Sequence, residues 1–312
     1  MAEPLFRERD GESAEVSHIE LFFDLVFVFA ITQVSHFLLD HPTVLGAFEA
    51  ALLLLAVWSP WGDVVYMTNV LNPNRQSVRG ALLTLMIAGL VMSSALPEAF
   101  GEKGMAFALA FVAFQLGRAV YLYVATRGRD GVFRHVRRAL VWCVVYSALW
   151  IAGAFLQGEM RLALWVLALL VDFASTAFGY PVPGLGRTVV RDTDIEAGHA
   201  TERVSLFILI ALGESILVAG AEFAEMPWSA EVIAAMLSAV VQSMAMWWIY
   251  FYWTAGVAGR SPAGPSHRDD SSVAPSATRR GLLWPESSPP PLATTSCCAT
   301  HSATRTLRLP GY

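Results

Sequence analysis

Charge is scarce in this chain of 312 residues: Asp, Glu, Lys and Arg together supply 15%, where a soluble domain carries about a quarter. Set against 55% hydrophobic residues, that scarcity excludes an ordinary soluble domain. Basic blocks are missing too, and the formal net charge is -5, so no nucleic-acid partner is expected. Cysteine is limited to Cys143, in an apolar run, and the adjacent Cys297 and Cys298, which make neither a disulfide framework nor a zinc site. There is no Walker loop, no HExxH and no GxSxG elbow, and Ser215 in GESIL has no obvious basic partner. These absences argue against an enzyme, so no catalytic, cofactor-binding or metal-binding residue is assigned and no cofactor is expected. The N-terminal stretch MAEPLFRERDGESAEVS is too polar for a cleavable signal peptide, so the first apolar helix is expected to be retained.

What the chain does hold is runs of about 20 apolar residues, long enough to cross a hydrocarbon core as helices. They fall near 19–39, 44–66, 79–97, 104–125, 139–157, 160–180, 203–222 and 229–253. The fold expected is an all-α, polytopic integral membrane helix bundle of about eight transmembrane helices, whose main partner is the lipid bilayer. The loops test the span count. Arg7, Arg9, Arg75, Arg79, Arg127, Arg129, Arg134, Arg137, Arg138, Arg187, Arg191 and Arg203 fall on one side, and only Lys103 and Arg161 on the other. Basic residues accumulate in cytoplasmic loops. The asymmetry therefore predicts a multi-pass protein of the inner (plasma) membrane with residues 1–18 in the cytoplasm, and a wrong span count would scramble it.

The first span, HIELFFDLVFVFAITQVSH, carries Glu20 and Asp24 one turn apart into an otherwise apolar run. An acid in hydrocarbon is costly unless it faces protein or water, which makes it a functional candidate. ELFFDLVFVFAITQ, followed much later by HATERVSLFILIALGESIL at residues 199–217, resembles the bacterial low-temperature-requirement protein A family over roughly residues 15–253. That resemblance implies a polytopic membrane protein and brings no settled mechanism. FFDLVFVFAIT is also similar to the first helix of the lysosomal and bacterial potassium-channel family. Here Phe23 stands in place of that family's serine and Ser17 in place of its upstream arginine.

After Trp253 the composition turns abruptly to Ser, Pro, Ala, Thr and Arg. Residues 254–312 are expected to be a disordered, low-complexity tail, because they have too little apolar surface to offset the entropy of ordering. Members of the resembled family continue into further membrane helices, so the tail reads either as a natural flexible end or, preferably, as a truncated or frameshifted one. The domain organisation is thus an N-terminal segment 1–18, a membrane domain 19–253 and a tail 254–312.

Helical depth, at about 1.5 Å per residue, places Asp24, Asp63, Arg118 and Asp172 in the cytoplasmic halves of their helices. Arg203 and Glu214 share a face of the seventh helix, only about 20° apart at 100° per residue, and His199 lies on that face too. The candidate intramembrane polar site is therefore Glu20, Asp24, Arg118, Asp172, His199, Glu202, Arg203 and Glu214, and Asp24, Asp63, Arg118, Asp172, Arg203 and Glu214 are expected to converge on one cavity open to the cytoplasm. Within it Arg118 is expected to pair with Asp24, which leaves Glu214 to carry a proton. Plainer roles stand beside these. Glu20 and Glu202 suit a helix start, Asp24 and Glu214 can simply hold helices together, and His199 can act as a cap. The aromatic cluster Trp247 to Trp253 reads as an interfacial belt. The function expected is transport or conduction of a small ion or solute. The alternative is a membrane stress or scaffold protein needed for growth at low temperature.

Overall fold

A computed structural model describes residues 4–7, 15–188 and 196–258, with side chains through 252. Eight helices in it are long and apolar enough to span a membrane. They are α1 (His18–Asp40), α2 (Val44–Val70), α3 (Gln76–Ala95), α4 (Gly104–Ala125), α5 (Asp130–Ala154), α6 (Gly158–Ala177), α7 (Ala197–Glu225) and α8 (Ala230–Ala258). Outside them the described residues contain only a short 3-10 turn, Leu96–Glu98, and two isolated β-bridges. The all-α membrane bundle expected from the sequence is what the chain forms. Because α8 runs to Ala258, the expected tail otherwise lies outside the described residues.

Several helices exceed their apolar runs. α2 continues to Val70, α5 begins at Asp130 rather than near 139, and α7 begins at Ala197 rather than near 203. Hydropathy sees only the hydrocarbon-compatible part of a helix, and these ends are polar. In α5 the extension is held by the α6–α7 loop. Arg138 Nε donates to the Leu185 carbonyl at 2.8 Å, Trp142 Nε1 donates to the Pro181 carbonyl at 3.0 Å, and His135 lies 3.2 Å from the Thr188 hydroxyl. That loop leaves α6 through Gly179 at φ +74°. The Tyr180 N–H bonds the Ser175 carbonyl and the Gly179 N–H bonds the Thr176 carbonyl, the paired closure of a Schellman end.

Lipid tails are as apolar as a leucine core, so helix association rests on close packing and on polar contacts rather than on hydrophobic burial. The buried stripe of α1 runs Glu20, Phe23, Asp24, Phe27, Ala30, Val34 and Phe37, a spacing of three and four that marks one face. Phe23 and Phe27 meet Phe114 of α4, and Phe107, Phe111, Trp150 and Trp165 form an aromatic cluster among α4, α5 and α6. Sequential helices pack pairwise from α3 to α6, while α1 beds on α2, α3 and α7. α7 is buried only at His199, Arg203 and Phe207. Beyond that point it packs mainly with α8, none of whose described side chains is buried.

Arg161, counted above as a loop charge, is buried at the opposite end of the bundle. Its Nη1 donates to the carbonyls of Ala99 and Gly101 at 3.0 and 2.8 Å, and its Nε donates to Leu156 at 2.9 Å. One cation thus satisfies carbonyls at the ends of two polypeptide segments, where the last turn of a helix leaves acceptors unpaired. Gly104 makes room for it: a Cβ there would stand 2.3 Å from Arg161 Nη1 and 2.6 Å from the Ala99 oxygen. Gly104→Ala should therefore lower thermal stability in detergent by about 1–3 kcal/mol, the usual cost of overpacking. Gly62→Ala, which meets nothing within 4 Å, should be neutral or slightly stabilising. Equal melting temperatures for the two variants would contradict the close-packed end.

Candidate functional site

The polar side chains inside the bundle form two networks on opposite sides of α2. At 100° per residue Ser59 and Asp63 lie about 40° apart, Trp61 and Thr68 about 20° apart, and the two pairs about 170° from one another. Pro60, between them, has no N–H to give to the preceding turn.

The first network joins α1, α2 and α7. Glu20 and Asp24, on the buried face of α1, are both fully shielded, as is Arg203 of α7. Arg203 Nη2 donates to Asp24 Oδ1 at 2.8 Å, while its Nη1 donates to the Thr68 hydroxyl at 2.6 Å and to Glu20 Oε1 at 3.4 Å. The guanidinium also lies over the Phe23 ring, 5.7 Å from its centroid. Trp61 Nε1 donates to Asp24 Oδ1 at 2.9 Å. Glu20 sits at the third position of α1 and reaches back to accept from the Ser17 backbone N–H at 2.9 Å and the Ser17 hydroxyl at 2.8 Å. Its second cation arrives from the N-terminal segment: Arg7 Nη2 stands 3.6 Å from Glu20 Oε2. Arg7 is delivered there by backbone pairing of residues 5–7 with the end of α2, through Arg7 N to Val70 O at 3.1 Å and Asn72 N to Leu5 O at 3.0 Å. Two carboxylates therefore face two guanidiniums, and the network is neutral.

Asn69 fixes the start of α7. Its amide pairs both ways with the Glu196 backbone, Nδ2 donating to the carbonyl and Oδ1 accepting from the N–H, each at 2.8 Å. That pairing sets the amide's orientation and turns its remaining N–H toward His199 Nδ1, 3.4 Å away. His199 Nε2, 3.1 Å from Glu20 Oε1, is then the protonated nitrogen, and the neutral Nε2–H ring satisfies both contacts.

The second network joins α2, α4, α5 and α6. Arg118 Nη2 donates to Asp63 Oδ2 at 2.7 Å and its Nε to Gln115 Oε1 at 3.3 Å. Gln115 Nε2 donates to Asp63 at 3.0 Å and to the Tyr146 hydroxyl at 3.2 Å. On the same face of α2, one turn earlier, Ser59 Oγ donates to Asp172 Oδ2 at 2.5 Å. Asp172 is buried, and among the described residues it forms no ion pair. Arg118, the only cation of this network among the described residues, is committed to Asp63.

The expected single cavity is thus replaced by two networks. Glu20, Asp24, His199 and Arg203 come together in one, Arg118 and Asp172 in the other. Arg118 pairs with Asp63 rather than with Asp24 or Glu214, because α4 borders the face of α2 that bears Asp63. Glu202 is exposed, and Glu214 is half-buried with no hydrogen bond or ion pair to a described residue. Sharing a helical face with Arg203 does not bury Glu214, since α7 is buried in the bundle no further than Phe207. Trp61, Thr68, Asn69, Ser59 and Tyr146 went unassigned in the sequence reading, because a hydroxyl, indole or amide in an apolar helix gives no hydropathy signal. Among the described residues no cluster of three His, Cys, Asp or Glu side chains is arranged to hold a metal ion.

Removing one partner of a buried ion pair strands the other, at a cost of about 3–5 kcal/mol. Asp24→Asn and Arg203→Gln should each destabilise the protein on that scale, and the double variant should lose clearly less than the sum. A double-mutant cycle read by thermal unfolding in detergent checks this, and strict additivity would show that the pair is not coupled.

A family model described as bacterial low temperature requirement A protein matches residues 15–267. An uncharacterized protein of Rhizobium meliloti (strain 1021) is 36% identical over 253 residues, covering 79% of this chain and 60% of that protein. The chain therefore spans about 60% of the length of that curated relative. No solved structure matches it.

Proposed function

The chain belongs to the bacterial low temperature requirement A family of membrane proteins, and we propose that it moves a small ion or solute across the membrane, with Asp172 carrying a proton in the cycle. The observation that carries this reading is the contrast between the networks. Glu20 and Asp24 face Arg7 and Arg203, whereas Asp172 is buried with Ser59 as its hydrogen-bond donor and forms no ion pair among the described residues, Arg118 being bonded to Asp63. An uncompensated carboxylate inside a membrane is costly, and taking up a proton or a small cation are the two ways to discharge it. Asp63, one turn away on α2, keeps part of its side chain exposed at 26% and offers a second acid beside the same site. The reading includes no enzymatic step, no cofactor and no nucleic-acid partner. A second reading, a scaffold without transport, is favoured by the neutral, self-satisfied first network, which joins three helices and needs no ligand.

Flux separates them. In proteoliposomes with an internal pH dye, the protein should acidify or alkalinise the lumen when an ion gradient is imposed, and Asp172→Asn should abolish that signal while the protein stays folded. Glu214→Gln, outside both networks, should leave it intact. Full proton movement in Asp172→Asn would remove the role given to Asp172, and no flux in the unmodified protein would remove the transport reading and favour the scaffold.

The proposal includes a cytoplasmic N-terminus in the inner membrane, and the asymmetry of the basic loops supports it. In a background without the native cysteines, a Cys introduced at Lys103 should react with an impermeant maleimide added outside, and one at Arg134 should not. The reverse pattern would invert the topology and with it the side from which Asp172 is reached.

A further inference from the structure

α1 and α3 start at the same end of the bundle, because α2 carries the chain back between them. Between their first turns lies an open cleft of ≈310 Å³ lined by His18, Ile19, Phe22, Asn74 and Arg79. None of the five is acidic. Arg79 lies in the first turn of α3, where Nη2 donates to the Asn74 carbonyl at 3.3 Å and so holds the guanidinium over the cleft. It forms no ion pair among the described residues, which leaves its other N–H groups for a ligand. His18, the first residue of α1, is exposed beside it. The N-terminus of α1 is closed by its capping box with Glu20, whereas the N-cap of α3, Arg75, offers its helix no side-chain acceptor, so the N-terminus of α3, worth roughly half a positive charge, adds to Arg79 at the cleft.

The rest of the lining is apolar and continues into the membrane. Phe22 is 53% exposed and Leu25, a turn deeper, 48% exposed, so a strip of lipid-facing hydrocarbon leads away from the cationic end. A ligand that fits carries an anionic phosphate at one end and a hydrocarbon chain at the other. We propose that this cleft binds the phosphate of an anionic phospholipid, with an acyl chain lying along Phe22 and Leu25. The site is separate from the polar networks inside the bundle and independent of transport.

The test is native mass spectrometry of the full chain extracted from vesicles containing phosphatidylglycerol and phosphatidylcholine in equal amounts. Phosphatidylglycerol should be retained preferentially, and Arg79→Gln should reduce that retention about fivefold, the scale expected for one arginine at an anionic surface. His18→Gln should reduce it less, and Arg127→Gln, outside the cleft, should not change it. Equal retention of both lipids, or unchanged retention in Arg79→Gln, would overturn the site. If millimolar inorganic phosphate displaces the lipid in an Arg79-dependent way, the cleft is a free-phosphate site and the lipid assignment falls.

Discussion

Arg203 is the contact on which the bundle's closure depends. It is the single cation shared by Asp24 and Glu20 of α1, it holds the Thr68 hydroxyl of α2, and it comes from the first turns of α7. Helices in lipid gain little from burying more hydrocarbon, so a charge-assisted contact among three helices decides which surfaces meet. The same contact explains why α7 is buried only in its first three turns. His199, Arg203 and Phe207 are the residues that the network and its neighbour Trp61 engage.

α2 is consequently a helix with two polar faces. Through Trp61, Thr68 and Asn69 it serves the α1–α7 lock, and through Ser59 and Asp63 it serves the α4–α6 side. The two sides differ in charge balance rather than in burial. In the lock every carboxylate has a guanidinium, so no state of the network is favoured by adding or removing a small ion. On the other side one guanidinium faces two acids, and Asp172 is the acid left over. A surplus carboxylate inside the membrane is a place where a proton or cation binds, and it makes the second network the working one in this account.

Much of this was legible in the residues, and the limits have physical causes. Eight spans follow from run length, and the buried face of α1 is marked by its own acids, since Glu20 and Asp24 fall on the stripe of Phe23, Phe27 and Val34. Membrane helices are apolar all round, so without such markers hydropathy does not say which side faces protein. The partner of Arg118 required knowing that α4 borders α2, which no spacing within α4 contains. Arg203 and Glu214 do share a face, yet eleven residues separate them along an axis rising about 1.5 Å per residue, and the bundle covers α7 over its first part only. Asn69 was hidden for another reason: its role is to pair with a backbone peptide at Glu196, 127 residues away in sequence, and only the fold brings the two together.

The division between a locked network and an exchanging acid is tested most directly by infrared difference spectroscopy of the reconstituted protein across a pH titration. The account predicts a protonated-carboxyl band that appears and disappears with pH and is lost in Asp172→Asn. Glu20 and Asp24, each held against guanidinium, should contribute no such band. A titrating band that survives Asp172→Asn but is removed by Asp24→Asn would contradict the account, because the exchanging proton would then sit in the lock.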